Sequence, residues 1–142
     1  MKVSARNVFK GSISAVLHGA VNAEVEVSLG GSDKLVAIVT MESVRTLELT
    51  VGTDVVALVK APWVMLMADG SDIRLSARNC LRGRVKSIEL GAVNAEVTIT
   101  LPGGTEVSSV VTREAVSELG LKPGVAATAV IKASNVILGV PA

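Results

Sequence analysis

The pattern of apolar and polar residues predicts strands over most of the chain. In segment 21–29 every second residue is apolar, and a period of two is typical of a strand with one buried face. The mixed segment 6–17 is predicted as a long strand in which Gly11 marks a bend or bulge. Shorter strands are predicted at 35–39, 55–60 and 64–67, separated by turns rich in Gly, Pro and Asp.

One short helix is predicted after the third strand. Val44 and Leu47 are three residues apart, Thr40 is a suitable N-cap, and Glu42 would lie in the first turn, where the helix dipole favours an acidic residue. Five short strands with one helical turn after the third are typical of an OB-like barrel. The predicted fold class is therefore all-β.

The same order of elements occurs twice. Residues 4–67 align with 76–139 at an offset of 72 without a gap, and we count 26 identities in these 64 positions. Ser-Ala-Arg-Asn at 4–7 returns at 76–79, and Gly-Ala-Val-Asn-Ala-Glu-Val at 19–25 returns at 91–97. We therefore predict two domains, 1–67 and 73–142, joined by a short polar linker at 68–72.

The composition supports the prediction of two β domains and also predicts that the chain forms oligomers. The chain has 142 residues, of which 49% are apolar, and the 25 valines favour strands. A unit of about 67 residues buries only about 60% of its unfolded surface and is marginal alone. We therefore expect the two halves, and several copies of the chain, to associate as a homo-oligomer.

The charge, aromatic content and cysteine content of the chain argue against several classes of protein. The formal net charge is +1, and the chain has one Trp, one Phe and no Tyr, so neither a basic surface nor stacking platforms for nucleic acid are expected. The most apolar stretch, 55–67, is interrupted by Lys60 and Pro62, so we expect no membrane span. A single cysteine and an N-terminus unlike a signal peptide predict a reducing, cytoplasmic location.

The residues that both halves share give catalysis little support. Neither a His nor a Cys is shared, and the two retained carboxylates are Glu24 and Glu42, with their counterparts Glu96 and Glu114. Glu24 lies at an outward position of a strand, which favours a solvated face, and Glu42 is interpreted as a first-turn helix residue. We therefore expect no enzyme, no catalytic residues or cofactor, and no cation ligands.

Both halves keep a set of hydrogen-bond donors without a carboxylate among them. The pairs are Arg6 and Arg78, Lys60 and Lys132, Ser4 and Ser76, and Thr40 and Thr112. Forked guanidinium donors, a lysine charge and hydroxyls together suit a small tetrahedral dianion. Taken alone, Arg6 can also be a surface ion-pair partner and Lys60 a charge at a strand edge; their joint retention favours an anion site.

These motifs carry a family resemblance. Ser-Ala-Arg-Asn, a glycine four residues after the Asn, and Gly-Ala-Val-Asn-Ala-Glu-Val resemble the Mop domain of molybdate- and tungstate-binding proteins. Two such units over essentially the whole chain are similar to the tandem Mop-domain proteins, or molbindins. The resemblance implies an OB-like barrel per repeat, trimers, and cytoplasmic storage of molybdate or tungstate at domain and subunit boundaries for molybdenum homeostasis.

The resemblance also implies site residues. In the first half these are Ser4, Arg6, Thr40, Ser43, Lys60 and the backbone near Ala61; in the second they are Ser76, Arg78, Thr112, Lys132, Ser134 and the backbone near Ala133. Two departures stand out. Ala115 replaces Ser43, and Ala61 and Ala133 stand where related domains can carry a hydroxyl. The two halves are therefore expected to differ in affinity.

A second type of site in this family lies near the molecular three-fold. The loops that resemble it are Gly19, Ala20, Val21 and Asn22, and Gly91, Ala92, Val93 and Asn94. An equally good interpretation is that these residues only make a tight turn.

The residues and the family resemblance together give three hypotheses for the function. The leading hypothesis is a molybdate or tungstate reservoir, and the alternative is a molybdate-sensing regulatory module that acts through a partner protein. A third, an OB-type nucleic-acid binder, is disfavoured by the near-neutral charge and the scarcity of aromatic residues.

Overall fold

The structure is a computed structural model that describes residues 1–70 and 72–142. The first half contains β1 (Asn7–His18), β2 (Asn22–Gly30), β3 (Asp33–Thr40), α1 (Met41–Thr46), β4 (Asp54–Val59) and β5 (Met65–Ala68). The second half contains β6 (Asn79–Leu90), β7 (Asn94–Thr100), β8 (Glu106–Thr112), α2 (Arg113–Glu118), β9 (Ala126–Ile131) and β10 (Ile137–Gly139). The predicted all-β class, with five strands and one short helix per repeat, is confirmed.

Two short turns complete the element list. A 3-10 turn at Ala61–Trp63 separates β4 from β5, and its counterpart at Ala133–Asn135 separates β9 from β10. No helix in the described part of the chain is long and apolar enough to cross a membrane.

The last strand of each half belongs to the sheet of the other half. β5 pairs antiparallel with β9, so that Met65 lies opposite Val130, and β10 pairs with β4, so that Ile137 lies opposite Leu58. The strand orders are β10-β4-β1-β2-β3 and β5-β9-β6-β7-β8. The predicted boundaries at 67 and 73 concern the sequence repeats, while each sheet is built from both repeats.

The alternating pattern of β2 places one face in the core. Val25 and Val27 are fully buried, as are their counterparts Val97 and Ile99 in β7. Val21, the first apolar residue of the predicted alternation, lies instead in the exposed turn before β2, with 73% of its surface accessible. The period of two therefore holds inside the strand and ends with it.

Gly11 marks a close approach of two strands. At Gly83, its counterpart in β6, a Cβ would lie 2.5 Å from the carbonyl oxygen of Thr100, so no larger residue fits without a shift. The register shift that signals a bulge lies further along β1, between Ile13 and Ala15. The predicted bulge therefore exists, but the glycine is needed for the approach and not for the bulge.

Two buried asparagines join the halves. The Asn7 amide donates from Nδ2 to the carbonyl of Ser108 and accepts from its N–H, both at 2.8 Å. Asn79 makes the same pair of bonds to Val36, at 2.8 and 2.7 Å. Ser108 and Val36 lie in β8 and β3, the edge strands, so each asparagine satisfies backbone groups that no neighbouring strand reaches.

Asp33 makes a contact that occurs once. Its carboxylate accepts from the N–H groups of Gly103 and Thr105, at 2.9 and 3.1 Å, and so ties the β2–β3 hairpin to the β7–β8 hairpin. Burial works against ionisation of Asp33, but the bonds from Thr105 and Gly103 outweigh it and hold the pKa of this carboxyl below its ordinary value. Thr105 is the residue equivalent to Asp33 in the second half, so the contact has no symmetric copy.

Candidate functional site

Thr40 and Thr112 cap the two helices, as predicted. Thr40 accepts a hydrogen bond from the N–H of Ser43 at 3.1 Å, and Thr112 accepts from the N–H of Ala115 at 3.0 Å. Glu42 lies in the first turn of α1, which confirms its predicted helix role. The caps fix both threonines where β3 and β8 end.

Both helix caps keep one hydroxyl proton that is free to bind an acceptor, although Ala115 replaces Ser43 in the second half. In the first half, Thr40 donates its proton to Ser43 Oγ at 2.9 Å, so the Ser43 proton remains for another acceptor. In the second half, residue 115 has no hydroxyl, and the proton of Thr112 remains instead. Each cap therefore offers one hydroxyl donor, from a different residue.

One cavity gathers most of the second-half donors. It has a volume of about 360 Å³, and the donor residues that line it are Ser76, Arg78, Lys132, Ala133 and Ser134. Ile38, from β3 of the first half, completes part of the wall. The predicted second-half set is thus brought together, apart from Thr112, at the boundary between the halves.

A neighbouring cavity gathers first-half donors around Ser134. It has a volume of about 310 Å³ and is lined by Asn22, Thr40 and Ser43 together with Ser134. Ser134 and Ile38 line both cavities. Thr40 and Ser43, which the sequence grouped with Ser4, Arg6 and Lys60, therefore lie beside the second-half donors.

Ala61 and Ala133 begin the 3-10 turns and are buried. Their methyl groups face the interior, while the N–H at the start of such a turn has no partner within the turn. A ligand contact at these positions would therefore use the backbone, as the family resemblance implies.

Lys60 differs from Lys132 in its neighbour. The Nζ of Lys60 lies 5.4 Å from the ring centroid of Trp63, within the range of a cation–π interaction. At the same place in the second half stands Asn135. The lysine of the first half is therefore held over a ring, and that of the second half is not.

Each candidate arginine is paired with a glutamate of the other half. Arg6 Nη2 lies 2.6 Å from Glu96 Oε1, and Arg78 Nε lies 2.7 Å from Glu24 Oε1. The hydrogen bond and charge of Glu96 raise the pKa of Arg6 further above its ordinary value. The expected solvated face around Glu24 is thus wrong in one respect: this carboxylate is about one-quarter exposed and is bonded to Arg78.

Sequence reasoning missed the glutamates and the asparagines. The strand pattern predicts only a solvated face for Glu24 and Glu96, and it predicts no contact for Asn7 and Asn79. All four belong to motifs that both halves retain, and this retention was the available signal.

The loops at 19–22 and 91–94 are tight turns held by the backbone. Gly19 N–H donates to the Asn22 carbonyl at 2.9 Å, and Gly91 N–H donates to that of Asn94 at 2.7 Å. A Cβ on Gly19 would lie 2.5 Å from the Asn22 oxygen. The turn interpretation therefore explains the glycines, while Asn22 also lines the cavity with Thr40.

The polar groups of the candidate site are suited to an anion and not to a metal cation. The described residues contain no cluster of three or more His, Cys, Asp or Glu side chains that could hold a metal ion. The cavity at Arg78 offers instead a guanidinium, an ammonium and two serine hydroxyls, all of which can donate hydrogen bonds to an oxyanion.

Comparisons with known proteins point to the same chemistry. A family model described as the TOBE domain matches residues 3–66 and again 75–138. The molybdenum transport protein ModE of Azotobacter vinelandii is 46% identical over 140 residues, which cover 99% of this chain and 52% of that protein. The molybdenum-pterin-binding protein MopA of Rhodobacter capsulatus is 43% identical over 141 residues, covering 99% and 53%. The chain thus spans about half the length of these curated relatives.

A solved structure matches over the whole chain. It is a crystal structure of the cytoplasmic molybdate-binding protein ModG with molybdate bound, and its sequence is 70% identical to this one. The alignment has a TM-score of 0.94 and covers 99% of this chain and 100% of that chain.

Proposed function

The chain belongs to the TOBE domain family, with two domains in tandem, and from that premise we propose that it binds molybdate or tungstate as a cytoplasmic reservoir. The observation that carries the proposal is the cavity at the boundary of the halves, where Ser76, Arg78, Lys132 and Ser134 converge. The molybdate in the 70% identical ModG structure gives the ligand class.

The donor set fits a fully deprotonated tetrahedral dianion. Arg78 and Lys132 supply positive charge, and the hydroxyl groups of the serines can donate hydrogen bonds to oxygen atoms. Such a ligand has only acceptors, so every group around it must donate. The polar side chains that line the cavity, Ser76, Arg78, Lys132 and Ser134, are all able to donate.

Exposed residues support assembly into a homo-oligomer, which we propose is a trimer. The donor side chains of the cavity, such as Arg78, are largely exposed in the single chain. Equivalent apolar residues are also exposed in both halves: Val21 and Val93 each at 73%, and Met65 and Ile137 at 55% and 54%. Covering these surfaces with further copies would bury the apolar residues and enclose the anion.

Equilibrium dialysis with molybdate against excess sulfate, combined with native mass measurement, tests the proposal. The wild-type oligomer should retain molybdate in the presence of sulfate. Because a hydrogen bond to a charged group contributes about 1.5–3 kcal/mol, replacing both Arg6 and Arg78 by Ala should weaken binding about 10- to 100-fold.

Arg82→Ala is the matched control. Arg82 is an exposed arginine that is also paired with a carboxylate, that of Asp69 at 3.0 Å, but it lies outside the cavity at Arg78. Its loss should leave molybdate binding unchanged. Complete displacement of molybdate by sulfate, or equal binding by the double variant and wild type, would contradict the proposal.

A further inference from the structure

Two ion pairs cross between the halves and repeat with the internal symmetry. Among the described residues, the other ion pairs are Lys34–Glu26, Lys86–Glu106 and Arg82–Asp69, and none of these has a copy at an offset of 72. Arg6–Glu96 and Arg78–Glu24 are copies of each other. Both repeats keep the Arg and the Glu of this pair, so the same contact is made at both symmetric places of the boundary between the halves.

The position of Glu24 links it to the cavity at Arg78. Glu24 lies opposite Ile38 in the β2–β3 ladder, and Ile38 is one of two first-half residues, with Met65, in the wall of that cavity. Glu24 therefore holds the guanidinium from the first half, while the cavity around that guanidinium is built mainly from the second half.

The pairing uses one edge of the guanidinium. Nε and Nη2 of Arg78 both contact Oε1 of Glu24, and Nη1 has no partner among the described residues. A guanidinium carries five N–H donors in a rigid plane. When Glu24 holds one edge of the Arg78 guanidinium, the direction of its remaining N–H donors is fixed as well. Arg78 lines the cavity, so these donors belong to its wall.

We propose that Glu24 and Glu96 are positioning residues for the anion-binding arginines. Each holds the arginine of the other half in place before the anion arrives, so that the free N–H donors are already oriented. This inference rests on the proposed function. An unpaired arginine on the surface would have to be immobilised by the ligand itself, which weakens binding by about five- to tenfold.

The substitutions Glu24→Ala and Glu24→Gln separate position from charge. Glutamine keeps an oxygen that accepts from Arg78, whereas alanine removes it. If Glu24 orients Arg78, Glu24→Ala should weaken molybdate binding about five- to tenfold, and Glu24→Gln should stay within about twofold of wild type. If Glu24 acts only through its charge, removing that charge should tighten anion binding in both variants.

The matched control is Glu26→Ala. Glu26 lies two residues further along β2, on the same face, and is bonded to Lys34 and Ser14 and not to a candidate arginine. Its loss should leave molybdate affinity unchanged. Thermal unfolding of all three variants shows whether a change in affinity follows a loss of fold.

The outcomes are distinct. The inference is supported if Glu24→Ala binds molybdate more weakly than wild type while Glu24→Gln and Glu26→Ala bind it about as well as wild type. Unchanged or tighter binding in Glu24→Ala, or equal weakening in Glu24→Ala and Glu26→Ala, overturns it and leaves the proposed function intact. Failure of the wild-type chain to bind molybdate overturns the proposed function, and this inference with it.

Discussion

The two halves of the chain carry the same frame and different details. In both, a buried asparagine bonds to an edge strand of the other half, an arginine pairs with a glutamate of the other half, and a threonine caps the helix. Three positions differ between the repeats: the second half has Asn135, Ala115 and Thr105 where the first half has Trp63, Ser43 and Asp33. The asparagine and arginine contacts between the halves therefore repeat, whereas the contact of Asp33 with the β7–β8 hairpin occurs once. The differences at positions 43 and 63 alter single side chains near the candidate donors.

The largest expected effect tests the shared frame. Asn7→Ala should leave the N–H and the carbonyl of Ser108 without their partner, and Asn79→Ala should do the same at Val36. Because unpaired backbone groups are costly in a partly buried place, each variant should lose about 2–3 kcal/mol of unfolding free energy. Denaturant unfolding measures both values, which should be equal.

Asn135→Ala provides the control for this pair. Asn135 is partly exposed and has no side-chain hydrogen bond among the described residues, so its replacement should change stability by less than about 0.5 kcal/mol. A clear inequality between Asn7→Ala and Asn79→Ala would show that the two contacts are not equivalent in solution.

A smaller effect should appear where the halves differ, at Asp33. Asn at this position keeps one acceptor but turns an amide N–H₂ toward the N–H of Gly103 or Thr105. We expect a loss of about 1–2 kcal/mol at neutral pH. Because the pKa of Asp33 is lowered in the folded chain, its stabilisation is complete above the unfolded pKa of about 3.9 and is lost as the pH falls through the folded value.

The pH dependence gives a second measurement at the same residue. The difference in unfolding free energy between wild type and Asp33→Asn should shrink as the pH falls below about 4. Asp54→Asn, an exposed aspartate on β4, should show a much smaller difference throughout. A gap that stays constant down to low pH would mean that the ionised carboxylate is not what ties the two hairpins.

The order of elements was predictable because it depends on local patterns. The alternation at 21–29, the Thr40 cap and the turns each require only neighbouring residues. The exchange of β5 and β10 was not predictable from the same patterns. Met65 and Ile137 are equivalent residues that face equivalent partners, Val130 and Leu58, so the sequence fits the exchanged and unexchanged pairings equally well.

The sequence predicts the chemical groups of the candidate site but not which residues lie together in it. Retention in both halves identified Arg78 and Lys132 as donors, and the structure places them in one cavity. The pairing of Arg78 with Glu24 could not be inferred, because a glutamate at an outward strand position has the same pattern whether it faces water or an arginine. Only the three-dimensional arrangement of the halves distinguishes the two cases.

The smallest expected effect separates the two lysines. The cation–π contact with Trp63 stabilises the free Lys60 side chain by about 0.5–1 kcal/mol. If Lys60 binds the anion, as the family resemblance implies, the anion must compete with the ring for it. Trp63→Asn should therefore tighten molybdate binding at Lys60 about two- to fivefold. Trp63→Phe keeps a ring and should change the affinity less, and equal effects of the two substitutions would contradict the explanation.

Fluorescence offers a separate measurement at the same place. Since Trp63 is the only tryptophan and the chain has no tyrosine, the fluorescence of the chain reports on the surroundings of Trp63 and Lys60. A titration followed by fluorescence should therefore respond to molybdate that binds near Lys60, while dialysis measures all the molybdate that the chain binds.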